Sequence, residues 1–408
     1  MKKTHPLTDK KYFVPFLFVT SLFFLWGFAR AILDVLNKHF QDVLNISITQ
    51  SAYIQVMTYL GYFITALPAG IYINKYGYRK GVVTGLMMYA TGAFLFVPGM
   101  RMGSFSVFLI ALFVIGCGLT FLEVSANPYV TLLGPRPTGS SRLNMAQSFN
   151  GLGCVLAPLI VGQFLFATDD ADVSIPYVVM GVFVVIAAIV FSFVSLPEII
   201  SSAPEKAPES GAKVTIMTIL RKETMLYGFL ALLAYEVSEI CINSYFINFT
   251  TSLNWLSDVG ASKILSFALI LFIAGRFAGS WIMRYVPAER ILMICASGCI
   301  VCMLAVLLNN RHVSLGALVL NYAFEAVMFP TIYSLALRNL SMAEIKCAGS
   351  ILMMTPVGGC AFLLMGVIAD TASFVIPFVL PLAGFVIVLT YALWLLHRCR
   401  GKDRGVPV

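Results

Sequence analysis

Residues 121–130 read FLEVSANPYV, with one carboxylate, Glu123, inside an apolar run that starts near residue 105. A lipid-spanning helix needs about 20 apolar residues. A charge within such a helix is costly and faces a bundle interior or a cavity. The stretch therefore asks two things: whether this is a membrane helix, and why an acid is kept in it.

Working outward, comparable runs occupy 12–40, 47–73, 81–98, 105–131, 143–167, 175–196, 225–252, 259–285, 290–309, 312–338, 346–370 and 374–397. The chain of 408 residues is 59% hydrophobic and 11% charged, where a soluble domain carries about 25% charge. Its mean hydropathy is +0.89. In lipid a helix satisfies its own backbone hydrogen bonds. The sequence predicts an all-α membrane protein with twelve transmembrane helices. The first run is too long for a signal-peptide core, and no small-residue cleavage site follows it, so it is expected to remain as helix 1.

Charge sets the orientation. Of the 27 Lys and Arg, four (Lys38, Arg101, Lys263 and Arg311) fall in the loops on one side, and two, Arg30 and Arg276, fall inside helices. The other twenty-one fall on the opposite side, which the positive-inside rule makes cytoplasmic, together with both termini. The net charge of +8 follows from this topology, and no nucleic-acid partner is needed. A bacterial inner membrane is the expected location, with the chain acting as a monomer.

The nine cysteines are odd in number and lie mostly in helices, so no disulfide framework is implied. Cys295, Cys299 and Cys302 have helical spacing, but no His or carboxylate joins them, and they read as small packing residues. The four histidines sit at helix ends or termini. There is no nucleotide-binding glycine loop and no triad spacing. No cofactor and no metal are expected. Without a nucleotide site, uphill transport would need an ion gradient.

The longest polar stretch, PEIISSAPEKAPESGAK at 197–213, reads as a cytoplasmic linker. The expected organisation is a six-helix bundle at 1–196, a linker at 197–224 and a second six-helix bundle at 225–408. The halves echo each other. GIYINKYGYRK at Gly70 parallels GSWIMRYVP at Gly279, and ANPYVTLL at Pro128 parallels MFPTIYSL at Pro330. Parallel repeats of this kind bind substrate near the midplane, between the halves.

The loop GIYINKYGYRK resembles the loop 2–3 motif of the major facilitator superfamily, with Asn74 and Lys75 in place of the usual acidic residue and arginine. Glycine there permits close helix approach. Further motifs, SLFFLWGF (21–28), GYFITALPAG (61–70), LEVSANPYVTLLGP (122–135), SRLNMAQSFNGLG (141–153) and FPTIYSLALRNL (329–340), resemble its fucose permease branch. That branch holds proton-coupled L-fucose carriers and related glucose, galactose and N-acetylglucosamine carriers. The match runs over nearly all twelve helices. It implies the major facilitator fold, two six-helix bundles rocking around a central site.

Charges buried in helices are Arg30, Asp34, Glu123, Glu236, Glu239 and Glu325. Arg276 and Asp370 lie nearer helix ends and read as structural or interface-seeking groups. Asp34 lies near the outer end of helix 1, whereas Glu123 lies about 27 Å along the inward-running helix 4 at 1.5 Å per residue. Two staggered carboxylates suit a proton relay, since a desolvated carboxyl group can hold and release a proton. If all were ionised, one Arg would face five acids, so some are expected to be neutral or paired with a cation.

The resemblance implies that Asp34 exchanges protons with the outer cavity, that Glu123 contacts sugar and couples to it, and that Gln147 contacts sugar. Asn144 shares a helix face with Gln147 at i, i+3. Glu239 resembles an acid of the glucose-type members. Asn243, Arg30 and Glu325 complete the candidate substrate site. Trp26, Tyr235, Tyr245, Tyr322 and Phe329 are candidates for stacking on a sugar. The chain departs from the branch at Arg30, with no asparagine near Asp34, and at Asn243, where the fucose carrier has tryptophan. The expected function is import of an L-fucose-like hexose by proton symport. The alternatives are Na⁺-coupled uptake of glucose, galactose or N-acetylglucosamine, and a sugar sensor that binds without translocating.

Overall fold

A computed structural model describes residues 6–44, 48–165, 174–193, 216–371 and 373–403; the side chains of 29–44, 48–52, 54–55, 158–165, 174, 176, 258–259, 262, 342–343, 370 and 399–403 lie outside the described set. The described residues are helices and short turns, with no strand. The first half of the chain gives α1 (Phe13–Leu44), α2 (Ile48–Tyr76), α3 (Tyr78–Phe94), α4 (Phe96–Met102), α5 (Phe105–Leu132), α6 (Gly139–Leu165) and α7 (Ser174–Phe193). The second gives α8 (Ile216–Leu220), α9 (Glu223–Ser252), α10 (Asp258–Ile282), α11 (Ala288–Leu307), α12 (Arg311–Glu325), α13 (Met328–Leu337), α14 (Met342–Leu352), α15 (Phe362–Thr371) and α16 (Val379–Asp403). Among the described residues, 10 helices are long and apolar enough to cross a membrane. The helices α6 and α7 occupy the other two expected segments.

Three expected segments are interrupted. The segment 81–98 divides at Leu95 and continues as α4 to Met102. The segment 346–370 divides around a 3-10 turn, Thr355–Ala361, which carries Pro356, Gly358 and Gly359. The segment 312–338 divides at Ala326–Val327. Pro330 contributes: it has no N–H for the carbonyl four residues back. That carbonyl, of Ala326, instead accepts from Arg276 Nε at 3.0 Å.

The two halves pack by the same scheme. In the first, α1 lies on α6, α5 on α2 and α3, and α3 on α7. In the second, α9 lies on the 3-10 turn between α14 and α15, α12 on α10 and α11, and α11 on α16. Each pair is its counterpart displaced by six segments. Glycine lets α5 enter between its neighbours. A Cβ on Gly116 would sit 2.5 Å from the Thr58 carbonyl of α2, and one on Gly118 would sit 2.6 Å from the Tyr89 amide of α3. Burial follows, and nineteen residues of α5, Glu123 among them, are buried.

The turns α2–α3, α5–α6, α10–α11 and α13–α14 all have Lys or Arg in them or on the adjoining helix ends and form what we term the basic end. Gly77 opens α3 with φ +85°, a left-handed value that favours glycine. The motif glycine Gly70 faces the Ser350 side chain of α14, as close helix approach requires. Arg142, expected among the cytoplasmic loop cations, is fully buried. It donates to the carbonyls of Val130, Thr131, Gly134 and Pro135 and to that of Leu7 in the amino-terminal segment. A cation there satisfies the carbonyls that the end of α5 leaves open. Ion pairs Lys222–Glu344 (2.6 Å), Arg338–Glu289 and Arg398–Glu223 (3.1 Å) complete this end.

Candidate functional site

Glu123 sits on α5 with 7% exposure. The Tyr62 hydroxyl of α2 donates to its Oε1 at 2.6 Å. One turn further along the same face of α5 comes Asn127, fully buried. Asn127 Oδ1 accepts from Gln147 Nε2 of α6 at 3.2 Å, and its Nδ2 lies 3.5 Å from Met353 Sδ in the second half. Gln147 in turn meets Arg276 of α10. Arg276 Nη1 donates to the Gln147 backbone carbonyl at 2.9 Å and approaches Gln147 Oε1 at 3.5 Å. A polar path thus runs from Tyr62 and Glu123 through Asn127 and Gln147 to the second half of the chain, with a step along α5 between Glu123 and Asn127.

Of the two readings of Arg276, structural or interface-seeking, its contacts fit the structural one. It is 6% exposed and lies at the seam between the halves. The seam continues toward the basic end. Asn144 Nδ2 donates to Thr331 Oγ1 at 3.2 Å, Ser140 and Ser334 hydroxyls meet at 2.6 Å, and Ser280 Oγ donates to the Ser141 carbonyl at 2.9 Å. Asn144 and Gln147 do share one helix face, and that face is turned to the other half. In this conformation Asn144, at 0% exposure, serves the seam.

The second-half acids differ in access. Glu239 and Asn243 of α9 are half-buried, with Asn243 Oδ1 lacking a hydrogen-bond partner. Glu236 is 6% exposed. Glu325 is sealed at 0%. Asn321 Nδ2 donates to its Oε2 at 2.7 Å, and Oε1 has no hydrogen-bond partner. Arg30 and Asp34 fall on α1, but their side chains lie outside the described residues.

The aromatic candidates are taken up in packing. Trp26 lies against Phe23, with ring centres 4.1 Å apart. Tyr322 is fully buried between Phe246 and Phe272. Tyr235 is fully buried, and its hydroxyl donates to the Glu325 carbonyl at 3.3 Å. Tyr245 packs on Phe378, and Phe329 on Tyr333.

Two site residues, Asn127 and Tyr62, escaped the sequence reading, and so did the partners of Arg276. Asn127 carried a usable signal, since it follows Glu123 at i+4. Tyr62 lay inside a quoted motif, GYFITALPAG, but nothing in the sequence pairs it with Glu123. The contacts of Arg276 depend on the Ala326 carbonyl, 50 positions away, which Pro330 leaves open.

The family model described as Major Facilitator Superfamily matches residues 19–359. An L-fucose-proton symporter of Haemophilus influenzae is 32% identical over 417 residues, covering 94% of this chain and 96% of the relative. A glucose/galactose transporter of Brucella abortus is 31% identical over 401 residues, covering 96% of each. The crystal structure of the Escherichia coli fucose:proton symporter matches with a TM-score of 0.83 at 29% identity, over 94% of this chain and 98% of that one. A second crystal structure of that transporter, in the outward conformation, matches with a TM-score of 0.84. With a family match across most of its length and relatives of this closeness, the chain belongs to the major facilitator superfamily of membrane transporters, in the fucose permease branch.

Proposed function

We propose that this chain is a proton-coupled importer of a hexose or deoxyhexose. Two bundles, 1–196 and 225–408, rock about a central site, and the linker 197–224 joins them. The basic end is the cytoplasmic end, on the positive-inside argument. The described seam then closes the cytoplasmic side, which matches an outward-facing state. A single protomer suffices.

The observation that carries this reading is Glu123, a carboxyl group in a lipid-spanning helix, held by the Tyr62 hydroxyl at 2.6 Å. Its proton can move only when water or solute reaches it. In the proposed cycle Asp34 takes the proton from outside. Glu123 binds it together with a sugar hydroxyl, beside Gln147. Opening of the seam exposes Glu123 to the cytoplasm, where proton and sugar leave. Arg30, Glu239 and Asn243 offer further hydroxyl contacts. Asn144 and Glu325 join them only when the seam and the break in α12–α13 open. The relatives named L-fucose-proton symporter support the coupling ion and the substrate class.

The test is uptake of labelled sugars into proteoliposomes with pH and Na⁺ gradients imposed separately. Accumulation driven by inward acid supports proton symport. Accumulation driven only by Na⁺ favours the second reading, a Na⁺-coupled glucose/galactose carrier, for which the relatives named glucose/galactose transporter speak. Tight binding without flux would leave a sensor.

A further inference from the structure

Arg276 is a buried cation with an unusual set of partners. Its Nε donates to the Ala326 carbonyl at 3.0 Å, and its Nη1 donates to the Gln147 carbonyl at 2.9 Å. The Phe272 ring lies 4.3 Å from the guanidinium carbon. No carboxylate pairs with it among the described ion pairs. Burying an arginine in a membrane is expensive, and an apolar side chain would pack this seam at lower cost. The fork geometry explains the choice. A guanidinium spans two carbonyls held in fixed directions, and an ammonium does not.

Both carbonyls matter. That of Ala326 is open because Pro330 cannot bond it. That of Gln147 belongs to the residue whose side chain approaches the same arginine at only 3.5 Å, the long limit of a hydrogen bond. Around Arg276 the seam is built at i, i+3, i+4 and i+7 spacing on α10. Ile273 faces Gly151, Phe277 lies edge-on to Phe149 at 6.0 Å, and Ser280 bonds Ser141. On the other side, Gly275 and Gly279 bring α10 close to Ala323, just before the break, and to Val327, within it.

We propose that Arg276 is a positioning residue that latches Gln147 of the first half to the helix break of the second, so that engagement of a hexose hydroxyl at Gln147 loosens the seam. The long contact to Gln147 Oε1 is the part a solute hydroxyl displaces. The two carbonyl bonds are the part that holds. This deepens the proposed function and rests on its placement of sugar at Gln147.

The test is the alkylation rate of Ser280→Cys by a maleimide in nanodiscs, read by mass spectrometry on that peptide so that native cysteines do not interfere. With Arg276 present the site reacts slowly, and a transported hexose speeds it. Arg276→Gln and Arg276→Lys are expected to raise the sugar-free rate at least about fivefold, to remove the sugar response, and to raise KM for sugar counterflow more than they lower its maximal rate. Should Arg276→Gln fail to fold, Arg276→Lys, which keeps the charge and loses the fork, is read alone. An unchanged sugar-free rate overturns the latch. A raised rate with the sugar response intact overturns its link to Gln147. If no hexose is transported at all, the proposed function fails, while the sugar-free rates still decide whether the latch exists.

Discussion

The two halves of the chain carry the same pair of residues at the same spacing and use them differently. Glu123 precedes Pro128 by five positions, and Glu325 precedes Pro330 by five. In the first half the helix runs unbroken through its proline, and the acid takes its hydroxyl donor from a neighbouring helix, α2. In the second half the helix stops before its proline, and the acid takes its amide donor from its own helix, at Asn321. Proline alone therefore does not decide the break. The described donor to the carbonyl it leaves open, Arg276, is present only in the second half. Nor does a buried carboxyl group by itself decide function. Glu123 keeps 7% exposure and a partner on another helix, so its environment changes if the helices move. Glu325 is sealed, with a partner that moves with it.

The largest expected effect concerns the glycine that admits α5 between its neighbours. Gly116→Leu should abolish folded protein, because its Cβ would sit 2.5 Å from the Thr58 carbonyl. In the second half, a Cβ added to Gly316 of α12 would meet nothing within 4 Å, and Gly316→Ala should raise stability by about 0.5–1 kcal/mol through helix propensity. Size-exclusion yield and thermal unfolding of the two variants read this contrast directly; equal behaviour would break it.

Next comes the donor on each acid. Tyr62→Phe is expected to lower gradient-driven accumulation by at least about tenfold, the lower end of what one hydrogen bond to a charged group is worth. Asn321→Leu removes the described donor from Glu325 and should cost about 1–3 kcal/mol of stability, with accumulation per folded molecule unchanged. Loss of accumulation in the second variant and not in the first would reverse the roles of the halves. The smallest effect concerns the exposed pair Arg398–Glu223, where Arg398→Gln should change stability by about 0.2–1 kcal/mol or less. A larger loss on thermal unfolding would mean that this pair ties α16 to α9 more firmly than its exposure allows.

The fold was legible because lipid leaves the backbone few choices, so hydropathy alone outlines the segments. The echo between the halves was legible in Gly70 with Gly279 and Pro128 with Pro330. Glu123 was legible as a candidate because its cost in lipid needs a reason. Arg276 was read as structural or interface-seeking without its partners, because its distance from the end of α10 says nothing of what lies across the seam. Asn144 was placed on the right helix face, but which partner that face meets depends on the relative position of the halves. Asp34 and Arg30 remain proposals of the sequence, since their side chains lie outside the described residues.

The most direct measurement compares Glu123→Gln with Glu325→Gln in proteoliposomes, scoring proton-driven accumulation and sugar counterflow for each. If Glu123 carries the coupling proton, Glu123→Gln keeps counterflow and loses accumulation by about 100-fold or more, as expected for removal of a proton-transfer group, while Glu325→Gln, which removes only a sugar contact, lowers the two together and keeps their ratio. Accumulation at the wild-type level in Glu123→Gln, or its loss in Glu325→Gln alone, would overturn the assignment of coupling to Glu123.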